Sequence, residues 1–186
     1  MRILSFGVFR ALVLGTIIAF LYPAHRSAAA TAVEIDARAD AALNLFLGKS
    51  PMGEELVEKA VGVLIFPSIV KAGLLLGGEY GEGVLRIEGR SVEYYSTASG
   101  SIGLQLGVQK KSVIIMFMEP SAMESFRMAN GWQVGVDGSV VFVDIGTGGG
   151  VSTSTIRQPI IGFIFNQKGF MGNLTIEGSK LSKINR

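Results

Sequence analysis

The side chains whose type and context best suit chemistry are Lys71, Tyr80, Lys168 and Lys180. Lys71 follows an apolar run and Ser68, Lys168 precedes Gly169-Phe170-Met171, and Lys180 clusters with Lys183 and Arg186 near the C-terminus. A lysine beside exposed apolar residues suits a membrane interface. The amine meets a lipid phosphate and the apolar neighbour enters the acyl boundary. Tyr80 adds a hydroxyl able to hydrogen-bond the same group. Taken singly, each lysine reads as well as a solvated loop residue.

Catalysis has far less to work with. The sequence has no Cys, and its one His, His25, lies in an N-terminal segment that reads as a leader. Downstream of that leader there can be no Ser-His-Asp triad, Cys nucleophile, His-based zinc site or haem ligand. A carboxylate pair or a Ser-Lys pair remains possible, but neither has a local motif here. Asp137 and Asp144 stand close to turns, where acids form turns and meet solvent. Catalytic residues, metal ligands and cofactors are therefore all expected to be none. Glycine-rich residues 77–83 resemble a phosphate loop only at a glance. They carry Glu79 and Glu82 and lead into β-forming residues, whereas a nucleotide loop opens a helix. Residues 146–150 lack the Lys-Ser/Thr ending of a P-loop.

The leader itself spans residues 1–30. Arg2 and Arg10 supply positive charge, residues 11–22 are uncharged and apolar, and Ser27-Ala28-Ala29-Ala30 offers small residues for cleavage. The apolar core falls short of the roughly 20 residues that span a bilayer. No Cys follows it, so lipid attachment there is excluded. The formal charge of the whole chain is +2. Removing Arg2, Arg10 and Arg26 leaves 14 basic residues against 15 acids, a charge of −1. The basic pI thus belongs to the leader, and nucleic acid is excluded as a partner. An exported location is expected, in the periplasm or cell envelope, peripheral to a membrane or secreted. Residues 31–186 form one domain, 48% of the whole chain is apolar and 17% charged, and no disulfide supports the fold.

The elements that must position those side chains follow from periodicity. Ile35, Ala39, Ala42, Leu43 and Phe46 recur at helical spacing over residues 31–47, with Gly48 as a stop. Ser50-Pro51 is expected to open a second short helix. Residues 61–66 read as a buried strand closed by Pro67, and Glu88-Gly89-Arg90 as a hairpin turn. Alternation over residues 102–108 and the apolar run 113–118 are further strands. A helix is expected over 120–130, then a hairpin around Asp137-Gly138, then strands over 160–165, 170–176 and 180–184. The fold class is α+β: about three helices packed on a strongly curved, mainly antiparallel sheet, barrel- or sandwich-like, with 25 glycines to permit the bends.

Several blocks in order resemble one family. Residues 60–73, which contain Phe66-Pro67-Ser68, and residues 77–85, which contain Gly77-Gly78-Glu79-Tyr80-Gly81-Glu82-Gly83, are the specific ones. Tyr95-Ser96-Thr97, residues 103–107, Gly131-Trp132-Gln133-Val134-Gly135-Val136 and residues 165–171 continue the match. Together, residues 34–184 resemble the SYLF domain, a lipid-binding module also described as a yeast-type actin-binding domain. The resemblance implies no catalysis. Eukaryotic members bind phosphoinositides and some act on actin, while bacterial members are exported, often as lipoproteins. Residues 31–47 depart from the basic amphipathic segment tied to phosphoinositide binding, since Glu34, Asp36 and Asp40 face one Arg38. Actin is not expected as a partner outside a cytoplasm. The expected function is recognition of anionic phospholipid or phosphoinositide-like headgroups at an envelope membrane, through Lys71, Tyr80, Lys168 and Lys180. The alternative is a non-enzymatic envelope scaffold. An integral outer-membrane barrel fits poorly, because one Trp and 4 Tyr cannot build two aromatic girdles. Which lipid is bound, and the oligomeric state, have no signature in the residues.

Overall fold

The computed structural model describes residues 29–73, 76–102, 107–146, 152–169, 176 and 178–186. Within them the fold is α+β, four helices against an eight-stranded sheet curled into a half-barrel. In chain order the elements are α1 (Ala32–Lys49), α2 (Gly53–Lys59), β1 (Gly62–Gly73), β2 (Leu76–Ile87), β3 (Arg90–Ile102) and β4 (Gly107–Phe117). There follow α3 (Pro120–Met128), β5 (Trp132–Gln133), β6 (Val141–Asp144), α4 (Thr153–Ile156), β7 (Ile160–Lys168) and β8 (Lys180–Ile184). The sheet order is β5-β8-β3-β2-β1-β4-β7-β6, antiparallel throughout except for the parallel pair β6–β7.

Both faces of this sheet are packed. On the concave side, Leu64, Phe66, Ile69, Leu85, Ile115 and Phe117 form a core with Trp132, Ile164 and Leu181. Helix α3 closes one end with Phe126, whose ring meets Tyr95 (4.7 Å) and Phe117 (4.9 Å) at a tilt and Trp132 (5.6 Å) edge-on. On the convex side, α1 lays Ile35, Ala39, Ala42 and Phe46 over Val63, Ile65, Val84, Ile114, Met116 and Phe163. Phe46 meets Phe163 at 5.0 Å and Phe165 at 5.8 Å.

The helical stripe behaves as its spacing predicts, while the boundaries differ. Helix α1 starts with a capping box. The Glu34 N–H donates to the Thr31 hydroxyl (3.3 Å), and the Thr31 N–H donates to Glu34 Oε2 (2.9 Å). It runs through Gly48 to Lys49, because Gly48 sits in open space and keeps helical geometry. Ser50, expected to cap the second helix, instead ends the first, its N–H donating to Phe46 O. Met52 is the N-cap of α2.

Two further expectations are corrected. Pro67 does not end β1. It is the extra residue of a bulge, since Ile65 faces Val84 but Ser68 faces Glu82, and Phe66 faces Val113 but Ile69 faces Lys111. A bulge needs no ladder bond from that N–H, which is where proline is tolerated inside a sheet. Gly83 makes the crossing possible, as any Cβ there would collide with the Ile65 carbonyl. Nor do residues 132–136 and 139–143 form a hairpin. Asp137 does make a tight turn, accepting the Gln133 N–H at 2.6 Å, but Trp132 and Val140 turn into the concave core. β5 then pairs with β8, and β6 with β7. The Glu88-Gly89 turn is as expected: both residues have positive φ (50° and 75°), and Ile87 pairs with Arg90. The apolar alternation at Leu104 and Leu106 and nearly all of the strand read over 170–176 lie outside the described residues.

Candidate functional site: the bare end of the convex face

The bulge at Pro67 sets which side chains reach the surface. A one-residue insertion exchanges the two faces of everything beyond it. Before the bulge, Val63 and Ile65 point to the convex side. After it, Ile69 is buried on the concave side and Val70 is exposed on the convex one. The strands therefore continue past the end of α1's cover and present a second stretch of convex surface that none of the described helices covers.

Register defines that stretch. Lys180 pairs with Ala98, Ala98 with Tyr80, Tyr80 with Val70, Val70 with Lys110, and Lys110 with Lys168. Directly paired residues share a face, so this is one row across six strands, and all six residues are exposed. The next row carries Ala72 and Val108, and Leu76 lies beyond it. Leu76 is 72% exposed, Val108 63%, Tyr80 51% and Val70 41%. Apolar residues thus occupy the middle of a plate that has lysines at both ends.

Three of the four residues singled out in the sequence meet here: Tyr80, Lys168 and Lys180. Lys71 does not. It pairs with Glu79 and Gln109, both buried on the concave side. Its neighbour there is Lys111, 2% exposed, whose ammonium lies 3.1 Å from Glu79 Oε2. Burial pushes the Lys111 pKa down, and Glu79 opposes that shift. Sequence reasoning missed Lys110 and Arg38, which both border a groove beside the plate. The signal available was the pair Lys110-Lys111 in a strand, where alternation must send one inward and one outward.

The remaining C-terminal cations are engaged. Lys183 and Arg127 both hold Glu93 Oε1 (2.7 and 2.9 Å), and Tyr95 donates to Glu93 Oε2 at 2.7 Å. The hydrogen bonds from Arg127 bring the Glu93 pKa down to about 2, against burial. Burial and the Glu93 carboxylate push the Tyr95 phenol well up. Arg186 and the Tyr80 hydroxyl both donate to Glu82 Oε1 (2.5 and 2.7 Å), and the Ala30 N–H also serves that carboxylate. Burial raises the Glu82 pKa, but these donors outweigh it and hold the group below the usual range. Among the described residues no cluster of His, Cys, Asp and Glu could hold a metal ion, and no helix is long and apolar enough to cross a membrane.

Residues 98–185 match the Ysc84 family model, described as Las17-binding protein actin regulator. This is the SYLF family, associated with lipid or actin binding; the match takes in the blocks at residues 103–107, 131–136 and 165–171, while those at 60–73 and 77–85 lie outside it. No curated protein matches the chain.

Proposed function

We propose that this chain is an exported, non-enzymatic module, with residues 1–30 removed, that docks on anionic lipid surfaces through the bare convex plate. The observation that carries this reading is the row Lys180–Ala98–Tyr80–Val70–Lys110–Lys168 with Leu76 and Val108 beside it. Apolar side chains this exposed, rimmed by ammonium groups, suit the boundary between headgroups and acyl chains. Each lysine near an anionic surface adds about 1 kcal/mol of attraction. Lys71, on the other face, is left out of the contact. Tyr80 lies within the plate, and its hydroxyl is already bonded to Glu82.

Sedimentation with phosphatidylcholine vesicles, with and without phosphatidylglycerol, tests the reading. Pelleting that requires the anionic lipid and weakens with salt supports it. Equal and negligible pelleting with both vesicle types discards it.

A further inference from the structure

The convex face holds a second feature, a pocket of about 450 Å³ between α1 and the sheet, bordered by Arg38, Ser68, Lys110, Ser112 and Asn166. Its floor lies where two irregularities meet. One is the Pro67 bulge in β1. The other is in β7, where Lys110 faces Lys168 but Ser112 faces Phe165, so that β7 carries an extra residue. Asn166 sits at that irregularity with φ 53°, a left-handed conformation that asparagine adopts more readily than most residues. Bulges gather where a sheet re-aims side chains, often beside a binding site.

The polar groups there are organised. Ser112, 1% exposed, donates to the Pro67 carbonyl at 2.8 Å and accepts from the Asn166 amide at 3.4 Å. The amide nitrogen keeps a second hydrogen, and Ser68 brings a hydroxyl. Arg38 from the helix and Lys110 from the sheet add two cations from opposite walls. Neither forms a salt bridge among the described residues. Glu34, one turn before Arg38, is held by the Thr31 cap. Among the described residues no carboxylate borders this pocket, whereas the adjoining groove of about 690 Å³, which shares Arg38 and Ser68, is bordered by Glu79 and Glu82.

We infer that this pocket binds a phosphate group, a monoester or diester, between the Arg38 guanidinium and the Lys110 ammonium, with the Asn166 amide and Ser68 hydroxyl as further donors. Planar guanidinium and ammonium donors on one oxyanion make charge-assisted hydrogen bonds. The inference rests on the lipid reading only for the source of the phosphate, which is either a membrane headgroup or a soluble phosphate ester.

The test uses wild type and the double variant Arg38→Gln/Lys110→Gln, with Lys49→Gln as a control on the same helix. Two probes separate the sources: phosphatidylglycerol vesicles, and glycerol 3-phosphate followed by a ligand-induced rise in Tm. Expected is a loss of roughly tenfold or more in vesicle affinity in the double variant. Any Tm rise with glycerol 3-phosphate is expected to vanish in it, with the unliganded Tm and the control unchanged. Wild-type binding of glycerol 3-phosphate but not vesicles, lost in the double variant, keeps the pocket and discards the lipid surface. Wild-type vesicle binding that the double variant retains overturns the pocket and leaves the plate standing. A wild type that binds neither probe overturns both.

Discussion

Strands β1, β4 and β7 each cross two stretches of the same convex face, and the stretches have opposite characters. Under α1 the face consists of Val63, Ile65, Ile114, Met116, Phe163 and Phe165, all buried. A few residues further on, it consists of Val70, Val108, Lys110 and Lys168, all exposed. Strand propensity does not separate them, since Val70 and Val108 would pack as well as Val63. The difference is the length of α1 relative to the strands, together with the bulge that re-aims β1. The covered stretch holds the fold together, and the bare one is the surface proposed to meet a membrane.

That contrast can be broken by substitution. Phe46→Ala removes the ring that α1 places on Phe163 and Phe165, and should cost about 3–5 kcal/mol in chemical denaturation. A loss under about 1 kcal/mol would mean the covered stretch is not a core. Glu93→Gln has the next largest effect, and it depends on pH. The folded carboxyl titrates at about 2, below its ordinary 4.5, so its stabilisation is complete above the ordinary value and fades as pH falls toward 2. Wild-type Tm should drop across that window. Glu93→Gln should start lower at pH 7 and fall less steeply, and parallel curves would contradict the assignment. Thr31→Ala, which opens the capping box on α1, should cost about 1 kcal/mol. Val108→Asp sharpens the comparison from the bare side. It should shift stability by only about 0.5 kcal/mol yet abolish pelleting with anionic vesicles. A large drop in Tm would show that Val108 is packed after all.

Periodicity made much of this legible. The stripe Ile35, Ala39, Ala42, Phe46 and the Glu88-Gly89 turn read directly, because each depends on local spacing alone. The bulge was not legible, since Pro67 removes a ladder donor and so resembles a strand end. With the bulge missed, the parity of every later residue in β1 is lost, and Lys71 is grouped with Tyr80 when the two point to opposite faces. Arg38 reads as one more solvated helix charge until the sheet supplies Lys110 opposite. The pairing of β5 with β8 depends on contacts made roughly fifty residues apart, which no window of sequence contains.

Glu82 receives the Ala30 N–H and the Arg186 guanidinium on one carboxylate. Thr31, which follows Ala30 and begins the domain once the leader is removed, and Arg186 therefore lie close in space, and a short peptide could join them without disturbing the sheet. A circular permutant sealed there and opened at the exposed Glu88-Gly89 turn should fold, leaving the plate free of any terminal tag.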